Sequence, residues 1–360
     1  MQPPASPLKT WLTSLTPLVI GLFISVAMWL ILPKLIGPFY SRIVINIGIA
    51  MMLAVSLNIV NGMTGQFSMG HAGFMTVGGY TAGMITYYGS QLLWHDALKH
   101  GGTFGPGALL FAVACVAGGV AAAVAGYIVG LPSLRLRGDY LAIATLGFGE
   151  IVRVLLQQTN SKLASWDAIQ KSTFSQWVPP PVGGSLGFTG LPKYTDLFWV
   201  YAFLTVIVVV AYRLKYSSLG REMLSIREDE IAAQAMGVNI TRVKVSAFVI
   251  AGFLAGVAGG VNAHVFGQDI APSDAGFQRS FDIIIMAVLG GQGSISGVML
   301  AAALLTLLPE GLRSAGIEQY RLIIYALTLI GMMLFRPQGL CGMNELWDFL
   351  PGRRGEERRA

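Results

Sequence analysis

The sequence predicts an all-α polytopic membrane protein, and three observations carry that prediction. Hydrophobic residues make up 54% of the 360 positions. Charged residues make up only 12%, about half of the roughly 25% found in soluble chains. The charges that are present cluster, leaving apolar runs of about 17–25 residues, long enough to cross a hydrocarbon core as helices. The length accommodates about eight to ten transmembrane or half-membrane helices, and no separate soluble domain is expected.

The predicted spans begin with residues 14–33, whose apolar run Leu18–Leu32 lacks an A-x-A-like cleavage site and is followed by another span. It therefore reads as a first helix rather than a cleaved signal peptide. Further spans are expected near 42–60, 71–89, 107–131, 139–158, 197–213, 242–265, 281–290, 297–312 and 320–336. The run 281–290 is short. At 1.5 Å per residue it covers roughly 15 Å, half a hydrocarbon core, so it is expected to be a half-helix that turns.

Two glycine-rich breaks share one character, "GQFSMGHAGF" at 65–74 and "GGQGSISGVM" at 290–299. Broken segments at membrane depth are tolerated only where protein or a water-filled path surrounds them. Their placement in two halves of the chain points to an internal repeat and a substrate path. Gln66, Ser68, His71, Gln292 and Ser294 are the candidates for lining it. Gln66 and His71 either line the path or hydrogen-bond to a neighbouring helix. Thr64, Ser68, Ala72 and Thr76 recur every fourth residue, and Gly79–Gly83 forms a G-x-x-x-G. If the segment is helical, this small-residue stripe allows close helix packing.

The span 139–158 contains Asp139, Glu150 and Arg153. Asp139 suits a helix start beside Arg137, where the dipole favours an acid. Glu150 and Arg153 have the i,i+3 spacing of an ion pair; the alternative, which makes Glu150 a sixth candidate for the path, is that it holds a substrate amino group. Cys115 and Cys341 are far apart, so neither a disulfide nor a metal site is expected, and His95, His100 and His264 have no metal-ligand spacing.

The net charge of +6 reflects basic loops, which accumulate on the cytoplasmic side, and is not a nucleic-acid signal. Arg213, Lys215, Arg221, Arg227, Arg242 and Lys244 place the loop 213–244 inside, as do Arg135 and Arg137 for "SLRLRGD" and the final "RRGEERRA". The segment 159–196, with three consecutive prolines, is then external. Within the inner loop, Ser225 and Glu228 fit a capping box. Asp229 and Glu230 suit a first turn, and Gly237 suits a helix end. The result expected is a helix of about eleven residues, roughly 16 Å, with Ile231 and Ala235 on one face. It either joins two spans in solvent or docks into a partner's groove.

"IREDEIAAQAMGVNITRVKVSAF" (226–248) resembles the cytoplasmic coupling loop of permease subunits of ATP-binding-cassette importers, and more narrowly the branched-chain amino acid permease family, LivM type. "GQFSMGHAGF", "LRLRGDYLAIATLGFGEIVR" (134–153), "LGGQGSISG" (289–297) and "FRPQGL" (335–340) resemble that family's blocks in order, over most of residues 40–340. The usual Glu-Ala-Ala triplet is here Ile231-Ala232-Ala233, with its acid one residue early at Glu230 and Gly237 in place. The resemblance implies a transmembrane domain over 14–340 with a coupling loop at 214–241, and cytoplasmic tails at 1–13 and 341–360. It implies contact with ATPases through Glu228, Asp229, Glu230, Ala232, Ala233 and Gly237.

The same resemblance implies a non-enzymatic subunit in a bacterial inner membrane. Its partners would be two ATPase subunits that carry ATP and Mg, a second similar permease and a periplasmic solute-binding protein. No cofactor is expected on this chain. Leucine, isoleucine and valine are the implied cargo; urea or other small polar solutes are the alternative. The chain contains no G-x-x-x-x-G-K-[ST], H-E-x-x-H or G-x-S-x-G, so it supplies neither a phosphate loop nor these hydrolase motifs. An ion-coupled secondary transporter is the rival class, and it leaves the docking-type loop unexplained.

Overall fold

The structure is a computed structural model and describes residues 7–133, 136, 138–314, 316, 318–320, 323, 324, 326, 327, 330, 331, 334 and 338–349. Arg135, Arg137, most of the expected span 320–336, part of "FRPQGL" and the final basic run lie outside the described residues, as do both chain ends. Among the described residues the regular structure is helical, with only isolated β-bridges in the connections. Among the described residues, five helices are long and apolar enough to cross a membrane by length and composition.

Helix α1 runs Pro7–Asn58 and is broken at Gly37, whose φ of 73° lies in the left-handed region. At 1.5 Å per residue it would exceed two hydrocarbon cores laid end to end. The break therefore resolves it into the two expected spans. Both halves pack on α7 (Leu197–Lys215), where the Tyr201 hydroxyl donates to Val44 O at 3.1 Å. Between them in the chain come α2 (His71–Trp94), α3 (Pro106–Ser133) and α4 (Asp139–Gln157), then the short α5 (Trp166–Gln170) and α6 (Phe174–Trp177).

Beyond α7 lie α8 (Ser218–Glu228), α9 (Glu230–Ala235), α10 (Ile240–Ala263), α11 (Phe277–Gly290) and α12 (Ile295–Ser314). The centre of the molecule is α2 packed against α3 and α10. Although α2 has 24 residues, it is not among the most apolar helices; its buried residues include His71, Thr76, Thr86, Ser90 and Gln91. Its neighbours replace lipid and satisfy part of that polarity. The close approach is backbone to backbone: a Cβ on Gly259 of α10 would lie 1.8 Å from Met75 O of α2. Gly79 joins this contact, whereas Gly83 faces Leu191 and Phe188 of the 159–196 segment.

The expected four-residue stripe is not a helical stripe. Residues 64–70 are non-helical, with Gly65 at φ 68°, and α2 begins only at His71. Thr64 and Ser68 therefore do not stack beneath Ala72 and Thr76. The expected short span appears as α11, with 14 residues and roughly 21 Å long. It turns through Gly291, at φ 107°, into α12.

At one end of the bundle, residues 159–196 lie over α2. The Tyr88 hydroxyl donates to Pro181 O at 2.6 Å, and Phe188, Val182 and Leu191 are buried beside Tyr80 and Tyr87. At the opposite end, α8 and α9 pack below the glycine-rich breaks.

Candidate functional site

The two breaks meet. After α1 ends at Asn58, one π-helical turn (Ile59–Met63) and the irregular, non-helical stretch 64–70 lead into α2. The Asn58 side chain bridges to the second break: its Oδ1 accepts from Gly293 N–H at 2.9 Å, and its Nδ2 donates to Ser294 O at 3.2 Å. Nothing larger than glycine fits at 62, because a Cβ there would lie 2.5 Å from Gly293 N. Arg227 of α8 then ties both breaks from outside. Its Nη1 donates to Gly62 O at 2.6 Å and to Gln292 O at 3.2 Å.

The structure brings five of the six predicted path residues to these breaks. Gln66 is buried, with its side-chain amide 3.2 Å from Thr64 Oγ1. Thr64 already donates to Val60 O at 2.7 Å and has a single hydroxyl proton. That hydroxyl is shared with Gln66 Oε1, which accepts from it, and Gln66 Nε2 has no partner. The buried Ser68 places its N–H on Asn61 Oδ1 at 3.2 Å, while Ser68 Oγ and Asn61 Nδ2 have no partner. His71 Nε2 lies 2.7 Å from Ser56 Oγ, whose proton goes to Leu53 O at 2.8 Å, so the imidazole N–H is the donor. Gln292 contributes its carbonyl to Arg227. Buried unpaired polar atoms are uncommon, and here three gather at one break.

Glu150 is not part of this cluster. It pairs with Arg153 at 2.6 Å, both about one-third exposed, and lies beside Gly276 between α10 and α11. Gln66 instead lines a cavity of about 180 Å³ that it shares with Arg227, Glu230, Lys244 and the start of α4.

The inner loop differs from expectation in its helix boundaries. There is no capping box at Ser225, whose hydroxyl donates to Glu222 O at 2.8 Å inside α8. Ser217 caps α8 instead, accepting from Gly220 N–H at 3.1 Å. The expected eleven-residue helix is divided at Asp229, an extended residue whose carboxylate accepts from Ile231 N–H at 2.8 Å and Ala232 N–H at 3.0 Å. A carboxylate taking two orphan amides is a stronger N-cap than a hydroxyl three residues upstream. Gly237, at φ 88°, ends α9 as expected.

Side chains in this loop separate by direction. Ala233 is buried in the chain's own core, and Glu230 pairs with the buried Lys244 at 2.8 Å, fastening α9 to α10. Ala232, Glu228 and Asp229 are exposed. Ile231 and Met236 are 72% and 85% exposed, an unusual position for two large apolar side chains on so short a helix.

Ser294 leads to residues that the sequence did not single out. Glu345 is buried and accepts from Ser294 Oγ (3.3 Å), Ile295 N–H (3.2 Å), Ser296 N–H (2.9 Å) and Ser296 Oγ (2.5 Å), and pairs with Lys215 at 2.6 Å. It thus satisfies the orphan amides at the start of α12. Burial alone would raise the Glu345 pKa. The Lys215 ammonium and the Ser296 and Ile295 donors outweigh it, and the carboxyl titrates below its ordinary value. A depressed folded-state pKa stabilises the fold above the ordinary value near 4.5 and ceases to do so as pH falls through the lower, folded value. Glu345→Gln should therefore lower stability at neutral pH by about 2 kcal/mol. The difference from the parent should shrink under acid, which thermal unfolding at pH 7 and pH 4 would read out.

Residues 39–333 match the family described as "Branched-chain amino acid transport system / permease component". The high-affinity branched-chain amino acid transport system permease proteins LivM of Salmonella typhimurium and of Escherichia coli K12 are each 33% identical over 318 residues, covering 82% of this chain and 68% of theirs. The corresponding LivH protein of E. coli K12 is 28% identical over 299 residues, covering 82% of this chain and 92% of its own. No solved structure matches. With the family match covering most of the bundle, including both breaks and the inner loop, this multi-pass inner-membrane chain belongs to the permease components of branched-chain amino acid transport systems.

Proposed function

We propose that this permease is the membrane-spanning subunit of an ATP-driven importer of leucine, isoleucine and valine, delivering them to the cytoplasm by alternating access. The observation that carries this reading is Arg227. One guanidinium in the loop expected to meet an ATPase is bonded to both glycine-rich breaks. A displacement of α8 is thereby felt at the two weakest points of the transmembrane helices. The unpaired atoms around Asn61, Gln66 and Ser68 are groups that can acquire partners when the breaks move.

In this reading ATP and Mg are held by two separate ATPase subunits, which dock on α8–α9. A second, similar permease completes the pathway, and a solute-binding protein delivers cargo at the end covered by residues 159–196. The basic inner loop and both tails are cytoplasmic. Gln66, Ser68, His71, Gln292 and Ser294 belong to the moving segment of the path. Glu150, already paired with Arg153, stands apart from it. Glu228, Asp229, Ala232 and Gly237 lie at the ATPase contact, with Ile231 and Met236 as its apolar anchors, while Glu230 and Ala233 hold the loop to the permease itself.

Uptake of leucine into vesicles carrying the full importer tests the whole reading: it should require internal ATP, be blocked by vanadate and survive collapse of sodium and proton gradients. Gradient-dependent, vanadate-insensitive uptake would reject it. A second test is local. Paired Ile231→Asp and Met236→Asp should reduce ATPase retention in a mild-detergent pull-down by about tenfold or more, the effect of losing central apolar anchors. Unchanged retention would show that the ATPase docks elsewhere.

A further inference from the structure

Helix α4 has 19 residues, roughly 28 Å at 1.5 Å per residue and close to one hydrocarbon core. It nevertheless carries Asp139, Glu150 and Arg153, and it is not among the five long apolar helices. One side of α4 packs into the bundle. Thr145 and Gly149 are buried there, and a Cβ on Gly70 would lie 2.1 Å from Thr145 O.

The other side is open. Tyr140, Ile143, Ile151 and Leu155 are 60–73% exposed, at spacings of three and four residues or their sum, which keep them on one helix face. Gly147 falls midway along this stripe, four residues from Ile143 and four from Ile151, and a Cβ there would meet nothing within 4 Å. The fold of this chain therefore does not need a glycine at 147, as it does at 70. Glycine weakens a helix interior, whereas a notch on a membrane helix lets a second helix approach closely.

The edge of the same face carries the Glu150–Arg153 pair, one-third exposed. Next to it lies Gly276, where a Cβ would be 3.9 Å from Arg153 Cδ, followed by the partly exposed Phe277 and Phe281 of α11. Glu150 stands eleven residues into α4, roughly 17 Å from its start and near the middle of a core of about 30 Å. Ionisable groups at that depth are costly against lipid. Helix α3 shows the contrast: Leu109, Val113, Val120 and Val124 are exposed, and the helix contains no charged residue. The α3 face suits lipid; the α4 face does not.

We propose that the open face of α4, extended by Phe277 and Phe281, is the surface on which the second, similar permease packs. The inference rests on the importer reading and deepens it by giving that partner its place. An ATPase or a solute-binding protein lies in water and reaches only the ends of α4, so the occupant of its middle is itself a membrane chain. This chain is similar to two different permeases of one Escherichia coli strain, and a partner of the same fold presents a corresponding face in return. A notch, bulky apolar side chains and an acid beside a base are matched by the same arrangement turned about a two-fold axis, each acid meeting the opposite base.

The test uses the assembled importer in its membrane. The photoactivatable residue p-benzoylphenylalanine at position 151 should form a covalent adduct with a second permease chain, identified by mass spectrometry. The same probe at position 120 of α3 should form none. Gly147→Leu should reach the membrane in the parent amount, because the added side chain meets nothing in its own chain. It should retain about tenfold less of the second permease in a mild-detergent pull-down, the loss expected when the centre of an interface is disrupted.

No adduct at position 151, or adducts only with lipid, an ATPase or the solute-binding protein, overturn the proposal. So does retention of the second permease by Gly147→Leu at the parent level. The adduct decides alone if that variant does not accumulate. The parent pull-down separates the two failures. A parent that retains a second permease without the adduct removes this face and leaves the importer reading standing, whereas a parent that retains none removes that reading.

Discussion

Arg227→Ala is expected to reduce ATP-driven leucine uptake by more than about tenfold, because it strips the carbonyls of Gly62 and Gln292 of their shared donor. Each buried acceptor left unpaired costs about 1–3 kcal/mol, and both lie where the helices are already interrupted. Arg227→Lys should recover only part of the loss, since a single ammonium on a shorter stem reaches the two carbonyls less well. Uptake and ATP hydrolysis measured together in proteoliposomes locate the defect. Hydrolysis that continues while uptake fails means that the link transmits motion. Uptake within twofold of the parent would mean that Arg227 is dispensable and the proposed route from α8 to the breaks is wrong.

Gly259→Val should prevent the bundle from assembling. A Cβ at 259 would sit 1.8 Å from Met75 O and 2.7 Å from the Met75 carbonyl carbon, both backbone atoms of α2. No rotamer change relieves a contact with backbone, so α2 and α10 would have to separate. That separation would open the central interface of the molecule. Overpacking in flexible cores costs typically about 1–3 kcal/mol, and a rigid helix-on-helix contact should exceed that range. Fluorescence-detected size exclusion should show little monodisperse protein, even at low temperature. A variant that elutes and melts like the parent would show that α2 and α10 tolerate a wider spacing.

Much of the fold was legible because lipid imposes a simple rule: apolar runs of spanning length become helices. The break between α11 and α12 was visible because glycine, glutamine and serine cluster where the apolar run stops. The loop boundary was misread for a local reason. Ser225 and Glu228 match the capping pattern, but Asp229 competes for the following amides with a full charge. The stripe through Thr64 and Ser68 failed because its premise, a continuous helix, is broken at Gly65.

What no local pattern could show is the meeting of the breaks, which joins residues separated by 235 positions. Arg227 was legible only as one positive charge among six in its loop. Asn58 and Glu345 carried no distinguishing signal. Their roles come from tertiary placement: an amide whose two ends match a glycine N–H and a serine carbonyl, and a carboxylate delivered to a helix start.

The Glu345 contact also imposes an order on biogenesis. Ser296 emerges from the ribosome 49 residues before its carboxylate partner, and Lys215 emerges 130 residues before it. Until then the first amides of α12 and the Lys215 ammonium must wait at the membrane surface with water or lipid headgroups as temporary partners. The end of the bundle that carries α8 and α9 therefore closes late in translation, after the helices it joins have already been made. A nascent chain stalled before position 345 would present an unlatched α11–α12 turn, the kind of exposed polar backbone that membrane quality control can recognise.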